Sequence, residues 1–167
     1  MESVMNPIPK DEADDLLKRM VALGFRKAII TTSLNAAERL VDTLKRNCNQ
    51  EDNGRGRLKV ATSFLSMKQD TIESTNFMTI YLRIAKDPEK VSDIRDIITA
   101  FEIFQNLHQK FRPRNSSDMI IDANAAWILA RDYRTEEIKM VTCTHCNNHY
   151  ISPYDEKPKH KCPFCDN

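Results

Sequence analysis

Apolar residues recur along most of the chain at helical spacing, and only the C-terminal end departs from that pattern. A period of three to four residues is that of an α-helix with one buried face. It predicts helices over six segments: 11–23, 26–33, 36–47, 67–86, 87–111 and 117–134. We expect Asn35 to be the N-cap of the third segment, and Asp87 followed by Pro88 to begin the fifth. From Glu137 onward, short β-like pieces and turn residues replace the helical period.

The change of pattern near residue 136 predicts two domains and a mainly α fold class. Residues 1–136 are expected to form a helical domain, and residues 137–167 a small C-terminal ribbon. In the helical domain, a short helix, a tight break at "TSLN" and an amphipathic helix predict a helix-turn-helix-like N-terminal part. The second helix of that pair is expected to turn four residues inward: Ala37, Leu40, Val41 and Leu44.

Composition supports a folded helical protein and argues against a membrane protein. Of 167 residues only three are glycine, while 41% are hydrophobic and 29% are charged, which is typical of a globular chain with few turns. The first residues are polar and acidic and do not resemble a signal peptide. No apolar run approaches the ~20 residues that span a bilayer. We therefore expect a cytoplasmic protein with no membrane partner.

Four of the five cysteines lie in one motif at the C-terminal end. Cys143, Cys146, Cys162 and Cys165 form the pattern C-x2-C-x15-C-x2-C. A two-residue spacer lets both thiolates of a pair face one ion at about 2.3 Å, and two such pairs complete a tetrahedral shell. This spacing favours a zinc ribbon with one structural Zn²⁺ per chain. The alternatives are an iron–sulfur cluster and four ordinary buried thiols.

The same ligand set argues against an enzyme. A catalytic zinc ion keeps one open position beside three protein ligands, and four cysteines leave none. His145, His149 and His160 lie near the cysteines, but no carboxylate is spaced as a general base beside them. The chain contains no P-loop, dinucleotide-binding glycine motif, nucleophile elbow or zinc-protease motif. We therefore expect no catalytic residues.

The candidate DNA-binding residues lie in the helix-turn-helix-like part and in the loop that follows it. The net charge is only +1, yet residues 35–68 contain seven basic and four acidic side chains, and a near-neutral protein can have a basic face. Recognition helices contact base edges, while Lys and Arg contact phosphates. The candidates are Asn35, Arg39, Thr43, Arg46, Arg55, Arg57 and Lys59. The alternatives are ordinary packing between two short helices and a solvated loop.

Several segments together resemble the FlhC family, the C-subunit of the bacterial flagellar master transcriptional activator. A helical body is followed by "AWILARDYRTEEIKMVTCTHCNNHYI" and then by "HKCPFC", in the order that the family has. Further similarity lies in "TTSLNAAERLVDTLKR", "GRLKVATSF" and "STNFMTIYLRI". The chain also resembles the related activators of conjugative plasmids and integrative elements. Relatives often have glycines after the second cysteine, where this chain has Asn147 and Asn148; asparagine is the non-glycine residue best suited to the left-handed conformation required there.

The resemblance implies a function that residue spacing does not give. Family members are transcriptional activators that bind double-stranded DNA, and they bind zinc through four cysteines that match those above. They act in a hetero-oligomer with a small helical FlhD-like subunit, where we expect two copies of this chain in a hetero-hexamer, and they recruit RNA polymerase. Such a protein is expected in the bacterial cytoplasm, associated with the nucleoid. The alternative is a zinc-stabilised structural or interaction subunit that binds protein and not DNA, which the near-neutral charge favours.

Overall fold

The protein is mainly helical, with a two-stranded sheet near its C-terminus, and this confirms the predicted fold class. The computed structural model describes residues 8–50, 56–111, 121–155 and 162–165, except for the side chains of residues 110 and 111. The helices of these ranges are α1 (Lys10–Ala22), α2 (Lys27–Leu34), α3 (Glu38–Asn47), α4 (Lys68–Ile84), α5 (Ile94–Phe111) and α6 (Ala123–Arg134). A 3-10 turn spans Ala61–Phe64, and the strands are β1 (Ile138–Thr142) and β2 (His149–Pro153).

The predicted role of Asn35 as the N-cap of α3 is wrong. Asn35 has a φ of 49°, which is left-handed, and it is the C-cap residue of α2. Asparagine adopts this conformation more readily than other non-glycine residues, so it can end a helix as well as begin one. The N-cap residue of α3 is Ala37, whose backbone is extended.

The predicted start of the fifth helix at Asp87 is also wrong. The Asp87 carbonyl accepts hydrogen bonds from the N–H groups of the third and fourth residues that follow, in a single turn that does not continue. α5 begins at Ile94, where the Asp93 carboxylate accepts a hydrogen bond from the Arg95 N–H at 2.9 Å. The first N–H groups of a helix have no partner within it. Asp93 supplies one, and this fixes the start of α5.

The predicted start of the sixth helix, at residue 117, lies outside the described residues. In the described part, α6 begins at Ala123, and the Asp122 carboxylate accepts a hydrogen bond from the Ala125 N–H at 2.7 Å. An aspartate cap of this kind typically stabilises a helix by about 1 kcal/mol.

Contacts divide the chain into two compact units, Met1–Leu58 and Lys59–Asn167. In the first unit α1, α2 and α3 pack around buried apolar side chains: Leu16, Leu17, Met20, Val21, Phe25, Ile29, Ile30 and Val41. In the second unit α4 packs on α5 and α6, and the sheet packs on both α4 and α6. The predicted domains 1–136 and 137–167 differ from these units, and their independence stays a prediction. Across the described ranges, no helix is both long and apolar enough to cross a membrane.

The buried face of α3 differs from the predicted stripe. Val41 is fully buried, as expected, but Leu40 exposes 46% of its surface and Ala37 is exposed too. Lys45, which lies outside the predicted stripe, is buried instead. The aliphatic stem of a lysine can cover apolar surface. The helix therefore turns Val41 and Lys45 toward the core and leaves Leu40 on its outer face.

A buried carboxylate on α6 fixes the start of the second unit. Asp132 is only 2% exposed, and its carboxylate accepts hydrogen bonds from the Ala61 N–H at 2.7 Å and from Arg131 Nε at 2.6 Å. The Arg131 guanidinium also donates to the Lys59 carbonyl at 3.1 Å and lies over the Trp127 ring. Buried charges are tolerated when they are paired and hydrogen-bonded, as these are. We call Asp132 and Arg131 the α6 clamp.

Candidate metal centre

The first cysteine pair lies in the connection between β1 and β2, which pair as an antiparallel hairpin. The Cys143 N–H donates to the Asn148 carbonyl at 2.9 Å, and the Asn147 N–H donates to the Cys143 carbonyl at 3.0 Å. Asn147 has a φ of 57°, so the expected left-handed residue after Cys146 is confirmed. These bonds curl the chain tightly enough to turn both thiols of the pair toward the same point.

The sulfur atoms of all four cysteines converge. The distance between the sulfur atoms is 3.7 Å for Cys143 and Cys165 and 3.6 Å for Cys146 and Cys162. All four sulfur atoms lie within 4.8 Å of one another. A tetrahedral zinc site with Zn–S bonds of about 2.3 Å requires sulfur atoms about 3.8 Å apart. The four thiols therefore fit a metal ion in a closed four-sulfur shell.

Backbone N–H groups favour the thiolate form at the first pair. The His145 N–H donates to Cys143 Sγ at 3.4 Å, and an equivalent bond of the same length is present in the second pair. Hydrogen bonds from the N–H groups of Cys146 and His145 lower the pKa of Cys143 to about 6. A hydrogen bond shared with the Cys146 thiol raises the pKa of Cys165 to about 12. Thiols this crowded do not all ionise by themselves, and a divalent cation supplies the charge that stabilises four thiolates together.

Strand β2 fixes the metal centre to α4. Tyr150, Ile151 and Ser152 are all buried. The Ile151 N–H donates to the Thr75 hydroxyl oxygen at 3.1 Å, and the same hydroxyl donates to the Thr71 carbonyl at 2.6 Å. The Thr75 hydroxyl thus links β2 to α4, because it accepts from the strand and donates to the helix backbone. The ribbon is packed on the helical body and is not merely tethered to it.

We expect Thr75→Val to destabilise the second unit by about 1–3 kcal/mol, because valine keeps the shape but leaves the buried Ile151 N–H without an acceptor. Denaturant unfolding and amide exchange at Ile151 measure the effect. Thr79→Val is the matched control, since the Thr79 hydroxyl donates to the Thr75 carbonyl within the same helix at 2.8 Å. Equal losses of stability in the two variants would show that the bond between α4 and β2 contributes nothing.

The predicted DNA-binding residues of the helix-turn-helix-like part are all exposed. Arg39, Thr43 and Arg46 follow one another at spacings of four and three residues on α3, which places them on one face. Asn35 is exposed in the turn that precedes the helix. The Thr43 hydroxyl donates to the Arg39 carbonyl at 2.8 Å, and its oxygen can still accept a hydrogen bond. This face of α3 therefore offers two guanidinium groups and one hydroxyl to the solvent.

The predicted loop residues are divided between the two units. Arg57 is exposed in the first unit, where the Arg26 guanidinium donates to the adjacent Gly56 carbonyl at 2.6 Å. Lys59 is exposed in the second unit, and its carbonyl is held by the α6 clamp. Arg55 lies outside the described residues. The carbonyl of Gly56, before Leu58, is thus hydrogen-bonded by Arg26 next to α2, and the carbonyl of Lys59, after it, by Arg131 of α6.

Lys27 joins α2 to α3, and the sequence gives no signal for this role. Its Nζ atom lies 3.2 Å from Asp42 Oδ1 and 3.6 Å from Glu38 Oε2. The hydrogen bond to Asp42 raises the pKa of Lys27. Exposed ion pairs of this kind add little stability. Their effect here is to hold α3 against α2 and to offset the negative charge of Glu38 and Asp42 with the positive charge of Lys27.

One family model spans nearly the whole chain. The model described as the flagellar transcriptional activator (FlhC) matches residues 7–167. No curated protein matches the chain with significant similarity. The matched range includes all four converging cysteines and both helices of the helix-turn-helix-like part.

Proposed function

The chain belongs to the FlhC family of flagellar transcriptional activators, and on this premise we propose that it is a zinc-containing, DNA-binding activator subunit. The observation that supports the proposal most strongly is the match to the family over residues 7–167. The convergence of four cysteines in a closed shell supports the metal part of it.

The metal in this proposal is one structural Zn²⁺ per chain, held by Cys143, Cys146, Cys162 and Cys165. Sulfur atoms 3.6 and 3.7 Å apart suit the tetrahedral preference of zinc. A complete shell of four thiolates leaves no position for water or substrate, so the ion stabilises the ribbon and performs no chemistry. The ribbon in turn packs on α4.

DNA is contacted mainly through the first unit in this proposal. Asn35, Arg39, Thr43 and Arg46 lie at the major groove in this proposal. The basic side chains of the set contact phosphates: Arg39, Arg46, Arg55, Arg57 and Lys59. Basic side chains provide most of the affinity, and a few contacts to base edges provide sequence preference. A formal charge of +1 is small for an extended site, so the isolated chain is expected to bind DNA weakly.

A partner subunit supplies the remaining contacts to DNA. We propose a small helical FlhD-like subunit, with two copies of this chain in a hetero-hexamer that recruits RNA polymerase at promoters. The assembly acts in the bacterial cytoplasm, on the nucleoid. The operator sequence that the assembly binds determines whether it activates flagellar genes or the genes of a conjugative element.

We expect specific DNA binding by the chain co-purified with its FlhD-like partner and much weaker binding by the chain alone. Gel-shift titrations at several salt concentrations measure both. Arg39→Ala is expected to weaken binding and to lower the magnitude of the salt slope by about 0.9 for each phosphate that it no longer neutralises. Arg83→Ala, which removes an exposed arginine of α4, is the matched control and should change neither. Binding of DNA by neither the chain nor the complex would contradict the proposal.

A structural or interaction subunit that never touches DNA is the second candidate, favoured by the near-neutral charge. Charge reversal at Arg57, an exposed residue, distinguishes the two. An activator subunit loses DNA affinity in Arg57→Glu while assembly with the partner persists. An interaction subunit has no DNA affinity to lose.

A further inference from the structure

The outer face of α3 presents one large apolar side chain among polar and basic ones. Leu40 exposes 46% of its surface. Thr43 is exposed about one turn further along the helix from Leu40, and Arg39 and Arg46 are exposed about 100° and 120° from it around the helix axis. Val41 and Lys45 face the core. An apolar side chain that stays in water forgoes the stabilisation that burial would give it. A leucine held outward here is therefore available to a ligand.

The orientation that exposes Leu40 is fixed by contacts on the other side of α3. Val41 is fully buried in the core of the first unit. Lys27 of α2 lies 3.2 Å from the Asp42 carboxylate and 3.6 Å from that of Glu38. These contacts hold the helix at one rotation. They also pair the two acidic side chains of α3 with a cation, which lessens their repulsion of a polyanion.

The surroundings of Leu40 suit DNA better than protein. On α3, Leu40 is the one large apolar side chain that is exposed, and the exposed arginines of the same helix are complementary to phosphate. A protein-docking helix would present apolar side chains in pairs, as α5 does with Ile103 and Leu107, which are 40% and 43% exposed. In the major groove, the apolar group that a side chain meets is the C5 methyl of thymine.

We propose that Leu40 determines sequence preference by packing on a thymine methyl group in the major groove. This rests on the proposed function, since it requires that α3 enters the groove. Thr43 and the two arginines would then supply hydrogen bonds around an apolar contact. The chemical class of the target is a duplex with a thymine at the position that faces the middle of α3.

The test uses the full chain in complex with its FlhD-like partner and a duplex recovered from random-sequence DNA by selection on that complex. Each thymine in the duplex is replaced in turn by deoxyuridine, which lacks only the methyl group. The wild-type complex is expected to bind one such duplex about fourfold more weakly, the factor that corresponds to about 0.8 kcal/mol for one buried methyl group. The Leu40→Ala complex is expected to bind the thymine duplex about fourfold more weakly and to show no further loss with deoxyuridine at that position. Its salt slope should equal that of the wild type, because no charge is removed.

Leu107→Ala is the matched control, since it removes an equally exposed leucine from α5; its complex should keep the wild-type response to deoxyuridine. An unchanged response in Leu40→Ala, with DNA binding intact, overturns the role of Leu40 and leaves the proposed function standing. Loss of assembly with the partner in Leu40→Ala would also overturn it, because it would show that Leu40 contacts protein. Recovery of no duplex by the wild-type complex would overturn both proposals.

Discussion

Replacement of Cys143 by serine is expected to remove the bound metal and to unfold the ribbon while most of the helical structure persists. A serine hydroxyl does not replace a thiolate ligand, so the loss of metal affinity should exceed the roughly 10–100-fold that follows loss of an outer-shell partner. In zinc-finger peptides a structural zinc ion contributes about 10–16 kcal/mol to folding. Two short strands cannot replace that contribution. Far-ultraviolet circular dichroism should therefore change little, while amide exchange over residues 138–153 becomes rapid.

The effect should extend beyond the ribbon, because β2 covers part of α4. Tyr150 and Ile151 are buried in the second unit, and uncovering them costs about 3–6 kcal/mol. At about 2–4 °C for each kcal/mol, Tm is expected to fall by about 6–24 °C. Elemental analysis should find about one zinc per wild-type chain and much less in the variant. Iron in place of zinc would support the iron–sulfur alternative.

Cys48→Ser is the matched control. Cys48 is an exposed cysteine at the end of α3, outside the four-cysteine cluster. Its replacement should leave both the metal content and Tm unchanged. A Cys143→Ser protein that has lost its metal but keeps slow amide exchange in β1 and β2 would contradict the structural role of the centre.

The candidate metal ligands could be identified from the sequence because the geometry of each cysteine pair is local. Each pair of cysteines is separated by two residues, and the conformation of Asn147 follows from the preference of asparagine for left-handed turns. The helices could be predicted for the same reason, since their period is visible within single segments. Their ends are harder to predict: Asp87 and Asp93 are both aspartates at which the fifth segment could begin, and only the contacts of the folded chain select Asp93.

The contacts that join distant segments could not be predicted. Thr75 and Ile151 are 76 residues apart, and a threonine within a helix gives no sign that its hydroxyl will accept from a strand. Leu40 follows the expected apolar period, yet the packing of Val41 and Lys45 turns it outward. A sequence pattern describes each element alone, whereas packing between elements determines which face is buried.

The buried carboxylate of the α6 clamp gives the second large expected effect. We expect Asp132→Ala to destabilise the second unit by about 3 kcal/mol, toward the lower end of the range for breaking a buried ion pair, because Arg131 is partly exposed. At about 2–4 °C for each kcal/mol, Tm falls by about 6–12 °C. The Ala61 N–H loses its acceptor, so its amide exchange should accelerate more than that of the α5 core. Thermal unfolding and hydrogen exchange measure the two effects.

Asp122→Ala separates the clamp from an ordinary helix cap. Asp122 also lies at α6 and accepts a backbone hydrogen bond at 2.7 Å, but it is exposed, whereas Asp132 is buried and paired with Arg131. Removal of the Asp122 carboxylate should lower the free energy of unfolding by about 1 kcal/mol. Amide exchange at Ala61 should stay as slow as in the wild type. If both variants lose the same stability, burial of Asp132 adds nothing to its hydrogen bond. A larger loss in Asp132→Ala, relieved when Arg131→Met removes the cation as well, would show that the cost arises from leaving one charge of the pair without its partner.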